Sequence, residues 1–204
     1  EAVRLNAAYA LGAIGEPAVP ALIEVLREEA EASLEQNLKM SHTNPSQLYS
    51  VYALSTIGEP AVPALIETLR DEKWWVRAAA ADILGDIGRP AKATVSALIE
   101  ALRDESEWVR RNATEALGTI GPATQDAIPV LIDLLSDQHS WVRHNAVSAL
   151  ARMGSTAQAA VPALNQALSD ENQYVRGNAM IALRRIQALE PQLHSEGAGE
   201  RVDE

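Results

Sequence analysis

Four histidines, His42, His139, His144 and His194, are the residues best suited to metal or proton chemistry, and no two of them stand at HxxxH or HExxH spacing. The sequence contains no Cys, which excludes thiolate nucleophiles, thiolate metal ligands and a disulfide framework. No glycine-rich phosphate loop and no G-x-S-x-G elbow occurs. Acidic pairs such as Glu28-Glu29 and Asp104-Glu105 fall between apolar stretches and read as solvated charge in turns. What recurs instead is an aromatic residue. Trp75, Trp108, Trp141 and Tyr174 stand 33 residues apart, each followed by Val-Arg. Asn6, Asn112, Asn145 and Asn178 form a second row, each two residues after an Arg. Trp and Tyr are enriched in binding hot spots, and neutral amides either bridge neighbouring elements or hydrogen-bond a partner. These residues suit recognition rather than bond-making.

The elements that position them form a repeat. Asp71, Asp104, Asp137 and Asp170 each precede their Arg (Arg77, Arg110, Arg143 and Arg176) by six residues, and Gly88, Gly121 and Gly154 follow the first three Arg by eleven. In the last unit that place is Gln187, Val3-Arg4 with Gly15 is an earlier copy cut off in front, and residues 47–58 are a degenerate copy with Gln47 in the place of Arg. Within a unit, Val109, Ala113, Ala116, Leu117 and Ile120 fall on one helical stripe, with Ala allowing close approach of a neighbour. Val95, Leu98, Ile99 and Leu102 fall on another, repeated as Val62-Leu65-Ile66-Leu69 and Ile128-Leu131-Ile132-Leu135. Gly then Pro punctuates the joints, Gly expected in the left-handed conformation that ends a helix and Pro unable to extend it, and Pro20, Pro63, Pro129 and Pro162 fall near the next helix start, where a missing N–H costs little. Two amphipathic helices of this length cannot bury their stripes alone, but stacked copies can. The expected fold is therefore all-α: a right-handed α-solenoid of about five helix pairs after a lone N-terminal helix, spanning residues 1–189.

Runs such as Asp104-Glu105-Ser106-Glu107-Trp108-Val109-Arg110-Arg111-Asn112-Ala113, continued by Ala116-Leu117-Gly118-Thr119-Ile120-Gly121, resemble the HEAT repeats, more narrowly the HEAT-like repeats of phycobilisome-lyase type. The resemblance implies that each Asp sits in the turn between the two helices and that each Arg ties neighbouring repeats into a ladder: Asp71/Arg77, Asp104/Arg110, Asp137/Arg143 and Asp170/Arg176. Some HEAT-like enzymes, the deoxyhypusine hydroxylases, hold two irons through repeated His-Glu pairs at inner-helix starts. Here a single inner helix has His at that place, followed by Asn (His144-Asn145), so no metal or other cofactor is expected. His144 and Arg111 are expected to face solvent, and Arg110 to matter more for stability than Arg111.

The chain has 204 residues, 47% hydrophobic and 22% charged, with 4% aromatic and no Phe. That is the ordinary balance of a water-soluble protein, with a core built from Ala, Leu, Ile and Val. The net charge of −11 argues against a general nucleic-acid binder, and against a HEAT-like DNA-repair enzyme, whose groove should be basic throughout. No apolar run reaches membrane-spanning length and no signal peptide opens the chain, and a cytoplasmic protein without membrane partners is expected; the start is mid-pattern at Glu1, so targeting is not read from it. Charge is uneven: residues 1–105 carry −7, residues 106–189 carry 0 and residues 190–204 carry −4. The last of these segments lacks periodicity and reads as a disordered acidic tail. A 43-residue step from Gly15 to Gly58 marks an insertion, 29–46, read as a helix extended by a turn or two and then a polar loop, a second candidate for partner contact.

The functional expectation is a non-catalytic scaffold that binds another protein on a concave inner-helix face. Its contact residues would be Trp75, Trp108, Arg111, Asn112, Glu115, Trp141, His144, Asn145, Arg152, Tyr174 and Asn178. The alternative implied by the resemblance is a bilin lyase or phycobiliprotein-handling subunit, in which aromatics stack on the tetrapyrrole and Arg pairs with its propionates.

Overall fold

The computed structural model describes residues 2–37 and 49–187. The part of the insertion beyond residue 37 and the acidic tail lie outside the described residues. A lone helix, α1 (Ala2–Ile14), is followed by five pairs: α2 (Val19–Asn37) with α3 (Tyr49–Ile57), α4 (Val62–Thr68) with α5 (Trp74–Ile87), α6 (Val95–Ala101) with α7 (Glu107–Ile120), α8 (Ile128–Asp133) with α9 (Ser140–Met153), and α10 (Val161–Ala167) with α11 (Gln173–Gln187). Among the described residues there is no strand. The odd-numbered helices pack in chain order, α1 on α3, α3 on α5, and so on to α11, and form one layer. The even-numbered helices, short from α4 onward, back that layer, so the chain is an all-α solenoid of two layers.

The sequence stripes become the core. Leu54, Leu84, Leu117 and Leu150 of the long helices and Leu65, Leu98 and Leu131 of the short ones are fully buried. Each such Leu contributes about 1.5–3 kcal/mol. Small residues set the spacing between long helices. A Cβ added to Gly85 would lie 3.2 Å from Ala116 Cα, and one added to Gly118 would lie 3.2 Å from Ala149 Cα. Ala78, Ala79, Ala80 and Ala81 are all inaccessible, which explains how a chain without Phe fills its interior: the backbones approach until small side chains suffice.

Three expectations change in detail. The repeat glycines have positive φ, but Gly88 (φ 68°, ψ −133°) and Gly121 (φ 88°, ψ −147°) are not in the left-handed helical well. They occupy the region open essentially to Gly alone, because the chain must turn straight from a long helix into a short 3₁₀ segment. Helix α2 reaches Asn37, 19 residues in all against 7 in α4. That is about three turns longer, not one or two, at 3.6 residues per turn. And Glu29 of α2 accepts hydrogen bonds from both the N–H (3.1 Å) and the hydroxyl (2.7 Å) of Ser50 in α3, so the helices on either side of the insertion are fastened together.

Gly121→Ala should destabilise by about 1–3 kcal/mol, through backbone strain, since its would-be Cβ meets only Thr119 O at an ordinary 3.9 Å. Gly177→Ala, in the interior of α11 with nothing within 4 Å, should instead stabilise by up to about 1 kcal/mol. Urea melts of the two variants showing the same sign would contradict this assignment.

Candidate functional site

From the α4–α5 pair onward, the turn between the helices of each pair is held by one arginine. Arg110 donates from Nη1 to the carbonyls of Asp104 (2.9 Å) and Glu105 (3.1 Å) in its own turn. Its Nε and Nη2 reach across to the carboxylate of Asp137 in the next turn, at 2.8 and 3.1 Å. Arg77 repeats the pattern with Asp104, and Arg143 with Asp170. Each Arg therefore uses the carbonyl of the Asp six residues before it and the carboxylate of the Asp 27 residues after it. The aspartates also accept from N–H groups two residues on, as Asp137 does from His139. Burial raises the Asp137 carboxyl, but the Arg110 and His139 hydrogen bonds and the Arg110 charge outweigh it and leave its pKa lowered; Asp170 behaves likewise. At the ends the pattern alters. Gln47 lies outside the described residues, and Arg27 of α2 donates to Asp71 at 2.8 Å in place of a ladder arginine. Arg176 keeps its two turn carbonyls but has no following carboxylate among the described residues, and it is exposed.

The stripe of each long helix that remains outside this frame carries the candidate binding residues. On α7 it reads Trp108, Arg111, Glu115 and Thr119, and on α9 it reads Trp141, His144, Ser148 and Arg152. On α5 the same places hold Trp75, Ala78, Asp82 and Asp86, and on α11 they hold Tyr174, Gly177, Ile181 and Arg185. The four aromatics are not equivalent. Trp75 is half-buried with an inaccessible Nε1, stands edge-on to Trp74 (5.7 Å) and has Lys73 over its ring. Trp108 is half-buried, while Trp141 and Tyr174 are each 60% exposed.

Arg111 is half-buried rather than projecting freely into solvent. Its guanidinium lies between Trp108 and Trp141, 5.7 and 5.8 Å from the ring centroids, and its Nε is inaccessible with no hydrogen-bond partner. The next residue in that column, His144, is half-buried with its ring edge-on to Trp141 at 5.9 Å. Burial lowers the His144 pKa, helped by the Arg111 charge and opposed by Glu115 and a hydrogen bond involving the Tyr174 backbone. The packing of flat rings at a 33-residue period explains both departures: a side chain one turn along the helix lies against the ring of its own helix, and Arg111 also reaches the ring of the next. The Asn row bridges repeats. Asn112 donates to Ala78 O (3.0 Å), Asn145 to Arg111 O (3.3 Å) and to Glu115 (3.4 Å), and Asn178 to Ser148 Oγ (2.9 Å). Arg152 donates to Thr119 at 3.2 Å. Arg27 and its bond to Asp71 had no sequence signal beyond the missing Arg at position 47.

Two clefts open on this face. One, of about 250 Å³, lies between the starts of α7 and α9 beside Trp108, Arg111, Ser140 and Trp141. The other, of about 120 Å³, is bounded by Glu115, His144, Asn145 and Arg152. A larger space of about 680 Å³ lies away from the aromatic row, between α2 and α4 beside Arg27 and Asp71. Among the described residues no group of three His, Asp or Glu could hold a metal ion, and no helix is long and apolar enough to cross a membrane.

A two-layer stack of helix pairs fastened by Arg–Asp bonds defines a helical-repeat protein. A model of the HEAT repeats matches residues 31–95 and 95–184, and the chain belongs to that family. A model of the PBS lyase HEAT-like repeat matches residues 3–28. No curated protein matches the sequence significantly. Among solved structures, a chain from the complex of CpcE and CpcF of phycocyanin lyase from Nostoc sp. PCC7120 is 25% identical, with TM-score 0.65, covering 81% of this chain and 98% of that one. A designed armadillo repeat protein in complex with the peptide (KR)4 is 23% identical, with TM-score 0.61, covering 89% and 91%. Kap121p is 19% identical, with TM-score 0.64, covering 84% of this chain and 21% of its own. The chain is thus a HEAT-like repeat protein resembling a phycocyanin lyase subunit, and the likeness to the last two is one of fold.

Arg110→Ala should destabilise by about 3 kcal/mol, since it strands the Asp137 carboxylate and two carbonyls, whereas Arg176→Ala should cost within about 0.5 kcal/mol. Equal shifts in denaturation midpoint for the two would contradict the frame. Because Asp137 and Asp170 have lowered pKa values, their contribution is present above the ordinary carboxylate pKa of about 4 and is lost as pH falls through the lower folded values. The lowered His144 pKa acts in the same direction nearer neutrality, its contribution being full above about 6.5 and declining as the pH drops below that. Asp137→Asn should flatten the acid limb of a stability–pH curve, and His144→Gln the limb below neutrality.

Proposed function

We propose that this chain is a non-catalytic scaffold that binds another protein on the exposed stripe of its long helices, with residues 1–189 acting as one solenoid in the cytoplasm. The observation that carries this reading is the column of aromatics left uncovered toward the C-terminal end, where Trp141 and Tyr174 each remain 60% exposed. Large rings held rigidly at regular spacing lose little entropy when a partner covers them. Trp108, Arg111, Glu115, His144 and Arg152 surround them, while Asn112, Asn145 and Asn178 serve the face from beneath by holding its helices in register. Trp75, half-covered by its neighbours, lies at the margin.

A second reading, a bilin lyase or phycobiliprotein-handling subunit, is favoured by the likeness to the Nostoc phycocyanin lyase chain across nearly its whole length. In that case the exposed rings would stack on the tetrapyrrole, an arginine would meet its propionates, and the protein partner would be a phycobiliprotein.

The double variant Trp141→Ala/Tyr174→Ala tests the face. It should keep its helical circular dichroism while losing about 2 kcal/mol or more of affinity for a partner captured from the source organism. Undiminished capture would rule the face out. A shift in the visible absorbance of added bilin, abolished in the same variant, would decide for the second reading.

A further inference from the structure

Arg111 is set apart from the other arginines of the structure. Among the described residues, five arginines are at least partly buried: Arg27, Arg77, Arg110, Arg111 and Arg143. Four of these hold a carboxylate, Arg27 with Asp71, Arg77 with Asp104, Arg110 with Asp137 and Arg143 with Asp170. The Arg111 side chain makes no hydrogen bond or ion pair to any described residue; its guanidinium is held by the faces of Trp108 and Trp141. Its nearby acids are engaged elsewhere, Glu107 in an ion pair with His139 and Glu115 with the Asn145 amide. A guanidinium clasped between two rings has already lost the rotamer freedom that an exposed arginine gives up on binding, and its planar fork matches a carboxylate. Beside it lies the cleft of about 250 Å³ at the start of α9, walled by Trp108, Ser140 and Trp141.

We infer that Trp108, Arg111 and Trp141 form a carboxylate clamp, whose occupant is an Asp or Glu side chain on an acidic segment of the partner polypeptide. This rests on the reading that the long-helix stripe is a partner-binding face, and it adds the chemistry of the partner. Charge complementarity selects the occupant. From α7 to α11 the stripe carries Arg111, Arg152 and Arg185 against one acid, Glu115, whereas on α5 it carries Asp82 and Asp86 and no base. An acidic segment is therefore attracted to the C-terminal half and repelled from the N-terminal half, which fixes its location as well as its affinity. The rings supply an apolar wall for the methylenes of the bound side chain, and the guanidinium supplies the paired donors that its carboxylate accepts.

The probe is a fluorescein-labelled octapeptide of alternating Ala and Glu, with the alternating Ala and Gln octapeptide as control, read by anisotropy at low salt. The wild-type chain should bind the Glu peptide and not the Gln peptide, with affinity falling as salt rises. Arg111→Gln should weaken binding by about tenfold or more, and Arg111→Lys should restore it only in part, because a lysine keeps the charge but neither the fork nor the stacking. Unchanged thermal melts of both variants separate lost binding from lost folding. Failure of the wild-type chain to bind the Glu peptide, or equal binding by Arg111→Gln, overturns the clamp. If Trp141→Ala/Tyr174→Ala still abolishes capture of the native partner in that event, the face remains the binding surface and only its acidic preference falls; if capture also persists, both fall.

Discussion

One guanidinium per repeat carries the register of this protein. Arg77, Arg110 and Arg143 each cap the carbonyls of one turn and grip the carboxylate of the next, so the same side chain closes a local turn and joins two units. Because the arginine is nearly buried, neither half of that job is optional: losing the carboxylate leaves a charge away from water, and losing the carbonyls leaves the turn with unpaired acceptors. The rest of the stack inherits its geometry from this bond. It fixes the rotation of each long helix relative to the last, and that rotation sets Gly85 against Ala116 and Gly118 against Ala149. It also decides which side chains are left on the outside in columns.

Those columns divide the exposed stripe into places of different chemistry. The aromatic column offers apolar area, and in the next column Arg111 lies between two rings while His144 stands edge-on to Trp141. The third runs from acidic, Asp82 and Glu115, to uncharged, Ser148 and Ile181, and the fourth from Asp86 to Arg152 and Arg185. A partner lying along the stack meets these places one repeat at a time. Orientation along the solenoid is thereby encoded in an otherwise repetitive surface, by electrostatics more than by shape.

Much of this was legible in the sequence. The Asp-x₅-Arg spacing, the Leu stripes and the Pro at short-helix starts all reflect contacts that recur with the period, and recurrence is what a single sequence displays. What escaped was what happens once. Arg27 serves Asp71 because the repeat register breaks at Gln47, and no periodic rule points to a residue on the preceding helix. Arg111 looked like a solvated charge, because its counterparts Ala78, His144 and Gly177 make no recurring arginine row; only the stacked geometry puts it between two indoles. The glycines were readable as helix ends, but their exact ψ depended on the 3₁₀ segments that follow.

The exception at Arg27 also has a mechanical meaning. At the junctions on either side of α7 the ladder is a fork, with two N–H groups on two oxygens, and backbone caps share the load. At Asp71 a single Nε–H from a side chain of α2 bears on one oxygen. Bonds loaded in parallel resist extension together, so among the described ladder steps the one at Asp71 yields before the forked ones. Stretched along its axis, a stack of this kind is more compliant at that step than at the forked junctions on either side of α7.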